Sequence, residues 1–153
     1  MLVKQLNNLK HLVQDMTEDS LGRPLKDLRI SITDRCNFRC NYCMPPDQFS
    51  NNHEFLPRSE ILSFEDITLI VKSMLSLGLK KVRITGGEPL LRKDICTLIS
   101  MIRECDSDLD IALTTNGSLL SKFADDLAKS GLDRVTVSID AIDDKIFPKK
   151  IKR

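Results

Sequence analysis

Four short β-prone runs constrain this sequence most: residues 28–33, 81–85, 110–115 and 134–139, each followed or preceded by a helical stretch. Strands alternating with helices indicate parallel β/α units. A parallel sheet covered by helices on both faces reads as unbroken apolar runs. These runs alternate instead. Leu28, Ile30 and Ile32 oppose Arg29, Ser31 and Thr33; Val82 and Ile84 oppose Lys81, Arg83 and Thr85. Ile111 and Leu113 oppose Asp110, Ala112 and Thr114, while Val135, Val137 and Ile139 oppose Arg134, Thr136 and Ser138. A period of two places each set on one side of its strand. The apolar side is expected to meet the helices and the polar side something wet. A closed β/α barrel fills its interior with side chains, so a polar inner face predicts an open or partial barrel around a hydrophilic cavity. The competing reading is a half-exposed sheet whose polar face meets solvent. Arg29 and Arg83, on neighbouring strands, suit an anionic ligand because guanidinium groups bind phosphate or carboxylate in bidentate fashion. Taken singly, either could equally be a surface or salt-bridge residue.

The helical stretches are expected over 64–77, 95–104 and 122–130. Ser63 with Asp66 three residues on makes an N-terminal cap, with Asp where Glu or Gln is usual. Gly78 and Gly131 stand where helix ends want a left-handed residue. Leu2, Leu6, Leu9, Val13 and Met16 recur at helical spacing and predict an amphipathic N-terminal helix; residues 19–24 read as a turn. The expected organisation is a helical extension over 1–18, a core over 19–147 and a basic tail over 148–153 with four basic residues in its last five. With 41% hydrophobic and 29% charged residues the chain is globular. A net charge of +1 recommends neither a nucleic-acid nor a membrane partner. No apolar run approaches the length of a membrane span, and the N-terminus resembles no targeting signal, so a cytoplasmic location is expected.

Cys36, Cys40 and Cys43 form a Cys-x3-Cys-x2-Cys loop directly after the first strand. An odd total of five cysteines with a tight cluster is no disulfide framework; clustered thiols read as metal ligands or catalytic groups. A structural zinc ion normally takes four ligands, and His53 could supply the fourth. An iron–sulfur cubane held by three cysteines keeps one iron open for chemistry. Cys96 and Cys105 lie nine residues apart, about half a turn out of phase, and read as core fillers. Gly86 and Gly87 follow the second strand, where glycine permits a tight turn or close approach of a ligand. Asn116–Gly117 closes the third strand and Ser138 sits on the inward set of the fourth.

The segment CNFRCNYC resembles the signature of the radical S-adenosylmethionine (SAM) enzymes. That resemblance implies that Cys36, Cys40 and Cys43 hold a [4Fe-4S] cluster whose fourth iron is chelated by SAM. It also implies a partial (β/α) barrel of the radical SAM type. Together, GRPLKDLRISITDRCNFRCNYCMP, VRITGGEPLLRKD, LTTNG and VSIDAID are similar to the GTP 3′,8-cyclases of molybdenum cofactor biosynthesis over about residues 19–147. The implied activity is a lyase reaction, conversion of GTP to (8S)-3′,8-cyclo-7,8-dihydroguanosine 5′-triphosphate. Carried over by position, Arg29, Arg83 and Thr114 would bind GTP, and Tyr42, Gly87 and Ser138 would bind SAM. No catalytic side chain beyond the cluster and SAM is implied. An electron donor for the cluster is implied as a partner, and a homodimer is compatible with the family. The parity argument, which uses no family information, places Arg29, Arg83, Thr114 and Ser138 on one face. The sequence departs from the family by stopping near the fourth strand. It lacks the C-terminal region with a second cysteine triad and [4Fe-4S] cluster, and Cys96 and Cys105 match neither its place nor its spacing. The expectation is a truncated form with little or no cyclase activity alone, ending in a solvated stub. Two other readings stay open: another radical SAM enzyme, such as a peptide-modifying one, and a non-catalytic metal-binding module.

Overall fold

The strands of the main sheet pair almost in the order in which they occur along the chain. The computed structural model describes residues 17–45, 47–50 and 52–139 and the backbone of 151–152. Its elements are β1 (Asp27–Ser31), β2 (Arg39–Cys40), α1 (Phe64–Leu75), β3 (Lys81–Thr85), α2 (Ile95–Arg103), β4 (Asp110–Thr115), α3 (Leu120–Lys129), β5 (Arg134–Val137) and β6 (Ile151–Lys152). Single 3-10 turns lie at Arg58–Glu60 and Pro89–Leu91. The four-stranded sheet has the order β1-β3-β4-β5 and is parallel throughout. Each step moves the same way across the sheet, so crossovers of one hand lay every connecting helix on the same face.

The core agrees. Ile30, Ile32, Val82, Ile84, Ile111 and Leu113 from the sheet pack with Ile67 and Val71 of α1, four residues of α2 and Leu127 of α3. The opposite face carries Arg29 and Ser31, both exposed, and Arg83 and Thr114, both half-buried. The expected division into an apolar helix side and a polar open side therefore holds for β1, β3 and β4. This is an open wall of a partial barrel, not a closed one.

At β5 the expectation fails in part. Val135, Val137 and Ile139 remain 40%, 38% and 62% exposed, although their parity is that of the core. The reason is position: β5 is the edge strand of the described sheet, and α3, which precedes it, buries only Leu127 and packs Leu120 and Phe123 on the main core. Among the described residues no helix follows β5 to cover the rest.

Local signals were kept closely. The Ser63 hydroxyl accepts the Asp66 N–H at 3.0 Å, and the Asp66 carboxylate accepts the Ser63 N–H at 3.2 Å. Asp is long enough here to close a reciprocal cap. Gly78 and Gly131 sit at φ +103° and +94°, and Leu79 and Leu132 donate back to Met74 and Leu127 at the ends of α1 and α3. The turn over 19–24 is held by the Asp19 carboxylate, which accepts the N–H groups of Leu21 and Arg23. Strand ends differ slightly: β1 stops at Ser31, although the Ile32 N–H still donates to Thr85 at 2.9 Å. The N-terminal helix expected over 1–18 falls almost wholly outside the described residues. Of the basic tail only the backbone of Ile151 and Lys152 is described, and it pairs antiparallel with Cys40 and Arg39. No helix among the described residues is long and apolar enough to cross a membrane.

Candidate cofactor and substrate site

The cysteine loop is built from backbone outward. Phe38 and Cys40 are buried against each other, and Cys36 packs on that pair. The Cys40 carbonyl accepts the N–H groups of Cys43 (3.1 Å) and Met44 (2.8 Å), curling the loop into a turn. The Arg39 guanidinium donates to the carbonyls of Cys36 (2.7 Å) and Phe38 (3.1 Å) and lies 5.4 Å from the Phe55 ring. One arginine thus ties the loop to itself and to the following segment. All five cysteines are thiols: Cys36 half-buried, Cys40 buried and Cys43 exposed. Burial pushes the Cys36 thiol pKa up, opposed by the Phe38 N–H; the negative charges of Glu88 and Cys43 add to the rise and the Asn116 amide opposes it.

Among the described residues, no three His, Cys, Asp or Glu side chains converge on a point where one ion could sit. His53 is held between aromatic rings, 4.6 Å from Phe49 and 4.9 Å from Phe55. The zinc reading with His53 as fourth ligand therefore finds no support. A cluster makes a different demand, since each thiolate takes its own iron atom. Three thiols spread along one curled loop, with soft sulfur donors only, fit that donor set.

Cys96 and Cys105 are partly buried against the main core, as expected for fillers, and the Cys105 thiol donates to the Met101 carbonyl at 3.1 Å. Cys105 lies two residues past the end of α2.

Gly86 and Gly87 meet a constraint from within the chain itself. A Cβ on Gly86 would stand 2.5 Å from the Thr33 carbonyl oxygen, and one on Gly87 would collide with the Arg35 carbonyl. The space is filled by the backbone of residues 33–35, the entry to the cysteine loop. Gly87 N–H donates to Thr33 and Glu88 N–H to Arg35, both at 2.8 Å. Two loops are locked together by main chain. Gly87→Ala is therefore expected to lower stability by about 2 kcal/mol or more, because rigid backbone must move. Urea denaturation checks this; a loss below about 0.5 kcal/mol, the scale of an ordinary surface change, would refute it.

Glu88 was not singled out from the sequence. Its side chain is fully buried and accepts from Leu90 N–H (3.0 Å), the Thr115 hydroxyl (2.7 Å) and Asn116 N–H (2.8 Å). Asn116 in turn places its amide 2.9 Å from Asn37 Oδ1 and 3.9 Å from Cys36 Sγ. Glu88 thus joins the ends of β3 and β4, and Asn116 carries that join to the cysteine loop. The available signal was a lone carboxylate in an otherwise apolar turn, GGEPLL.

On the polar face Arg29 and Arg83 are register partners on adjacent strands. Arg83 pairs with Ala112 on its other side, and over this small residue its guanidinium reaches Thr136 Oγ1 at 3.4 Å. Thr114 stands one row toward the C-terminal end, beside Thr136. Ser138 follows, its N–H donating to Thr115 at 2.9 Å. Arg29, Arg83, Thr114 and Ser138 therefore share one open face, with Gly87 on the loop at its rim. Tyr42 lies on the cysteine loop, 68% exposed. The face is open to solvent; a cleft of about 530 Å³ lies by the loops after β1 and β3, and one of about 460 Å³ between α2 and α3.

A β/α wall with helices on one side and a three-cysteine loop at the end of its first strand defines a class, and the sequence profile of the radical SAM superfamily matches residues 30–153. The chain belongs to that superfamily. Among curated proteins it is 52% identical over 135 residues to the GTP 3′,8-cyclase of Staphylococcus epidermidis, covering 88% of this chain and 40% of that protein. It is likewise 52% identical over 133 residues to the GTP 3′,8-cyclase of Staphylococcus aureus strain Mu3, covering 87% and 39%. The chain thus spans about 40% of the length of these relatives. Among solved structures it resembles Streptococcus suis SuiB bound to S-adenosylmethionine, with TM-score 0.66 and 24% identity over 84% of this chain and 28% of that one. BtrN in complex with AdoMet and 2-DOIA gives TM-score 0.57 and 21% identity over 75% and 46%. These two likenesses establish the fold. Membership of the superfamily implies a [4Fe-4S] cluster and SAM.

Proposed function

We propose that this chain forms the cofactor-holding and nucleotide-gripping portion of a GTP 3′,8-cyclase of molybdenum cofactor biosynthesis. Cys36, Cys40 and Cys43 would hold the cluster, and Tyr42, Gly87 and Ser138 would line the SAM site. When bound, cluster and SAM supply radical chemistry that no side chain here can perform. The protein's part is to orient. Arg29 and Arg83 would grip the triphosphate and Thr114 the nucleoside side of GTP, keeping the sugar at a fixed distance from the cysteine loop. An electron donor completes the reaction.

The observation that carries this reading is the register-matched pair of guanidiniums on an open polar face. Arg29 makes no ion pair among the described residues, and Arg83 makes only a long contact to a hydroxyl. Two adjacent unneutralised cations suit a polyphosphate better than a neutral substrate. The 52% identity to proteins named GTP 3′,8-cyclase points the same way. In the anaerobically reconstituted chain, Arg29→Ala and Arg83→Ala are each expected to weaken GTP binding about 10- to 100-fold, as for loss of a charged hydrogen bond. Guanosine, lacking the phosphates, should bind equally to all three proteins. GTP affinity untouched by both substitutions would overturn the assignment.

A further inference from the structure

The cleft of about 530 Å³ lies past the C-terminal end of β1, beside the entry to the cysteine loop, and none of Arg29, Arg83, Thr114 and Ser138 lines it. Its walls are the chain after β1, the segment leading into α1 and the turn between β3 and α2. Four cations line it: Arg35, Arg58, Arg92 and Lys93, against the carboxylates Glu65 and Asp94. None of the four makes an ion pair among the described residues; the pairs found are Arg23–Asp19, Lys81–Asp27, Arg103–Asp133 and Arg134–Asp110, all elsewhere. Arg35, Arg58 and Lys93 are exposed and keep their hydration, but Arg92 is half-buried, where a charge withdrawn from water is normally compensated.

Arg92 makes the deficit sharpest. It is half-buried, with one Nη donating to the Ile32 carbonyl at 2.8 Å and the other to Leu62 at 2.6 Å, and its guanidinium stacks 4.5 Å from the Phe64 ring. Carbonyls and a ring satisfy its N–H groups but do not cancel its charge. Burial, and next the neighbouring Arg58, push the Arg92 pKa down from its usual value. The exposed Arg35, Arg58 and Lys93 have no partner of opposite charge and can turn toward a common ligand.

We propose that this cleft is a second anion site, separate from the polar face, that takes a pyrophosphate-class polyoxyanion. Four cations against two carboxylates leave two positive charges, which a single monoanion cannot neutralise. The volume falls within the range of about 300–1,000 Å³ typical of small-molecule sites. A concave, many-sided lining suits a compact ligand approached from several directions, not a flat partner surface. Arg92 supplies fixed positive potential at the floor, and Arg58 and Lys93 close on the oxygens. The ligand is either free pyrophosphate or the phosphate tail of a nucleotide, since both present the same oxygens.

The test is calorimetric titration of the full chain with sodium pyrophosphate, ATP and adenosine. The Arg58→Glu/Lys93→Glu double variant is expected to lose pyrophosphate affinity about tenfold or more, as for loss of charged hydrogen bonds. All titrations are made in the Arg29→Ala/Arg83→Ala background, which removes the polyphosphate grip of the polar face and keeps this result independent of the GTP assignment. Arg58→Lys should restore most binding, and circular dichroism checks that each variant is folded. Pyrophosphate binding with none by ATP assigns the free anion; binding by both, with none by adenosine, assigns the nucleotide tail. The inference is overturned if pyrophosphate fails to bind the Arg29→Ala/Arg83→Ala chain, if its binding there survives the further change Arg58→Glu/Lys93→Glu, or if it is abolished by potassium chloride at matched ionic strength.

Discussion

Cys40→Ser is expected to remove the iron from the reconstituted chain, from about four atoms in the parent, one per corner of the cubane, to near none. The hydroxyl is a poor ligand for iron where a thiolate is required. Cys40 is the informative choice because it is buried against Phe38 in the small cluster that shapes the loop. Its replacement by a residue of almost the same size costs the fold only about 1 kcal/mol, so loss of iron can be read without loss of structure. Iron and acid-labile sulfide, measured with a circular dichroism spectrum, decide the matter. Cys96→Ser and Cys105→Ser should retain the iron, since both side chains pack on the main core. Stoichiometric zinc without iron in the parent would remove the cluster assignment and with it the proposed chemistry.

Glu88→Ala is expected to destabilise the chain as much as truncation of a large core side chain. The carboxylate is fully buried and accepts from two N–H groups and one hydroxyl. Hydrogen bonds to a charged acceptor contribute about 1.5–3 kcal/mol each, and donors left unsatisfied add their own desolvation cost. Because the three share one acceptor they are not additive, and a total near 3–5 kcal/mol follows, or a Tm lower by roughly 10 °C for a chain of this size. The damage should spread to the cysteine loop through Asn116, whose amide reaches Asn37 and Cys36. Hydrogen exchange at the N–H groups of Leu90 and Asn116 should accelerate more than at Val82 in the core. An unchanged melting temperature would show that the carboxylate is not the pin that its burial indicates.

What the sequence disclosed and what it withheld divide along the range of the forces involved. Strand parity, the Ser63–Asp66 cap and the glycine helix ends depend on neighbours a few residues apart, and each was readable. The exposure of Val135, Val137 and Ile139 was not, because burial of a strand depends on what packs over it, and β5 is the edge of the described sheet. The glycine pair was visible, but its partner was not: only the folded chain places residues 33–35 where a Cβ would go. Glu88 was overlooked for the same reason, since two of its donors come from the end of β4. The spacing of Cys36, Cys40 and Cys43 announced a metal loop, yet not that one thiol would be buried and another exposed. The pairing of residues 151–152 with the loop also lay beyond any local pattern.

Monotonic strand order also divides the two flanks by what a substitution costs. Because every connecting helix lies on one flank, Arg29, Arg83 and Thr114 stand outside the hydrophobic cluster. Truncating a side chain on that open flank removes little buried apolar surface, whereas the same change on the other flank leaves a cavity in the core.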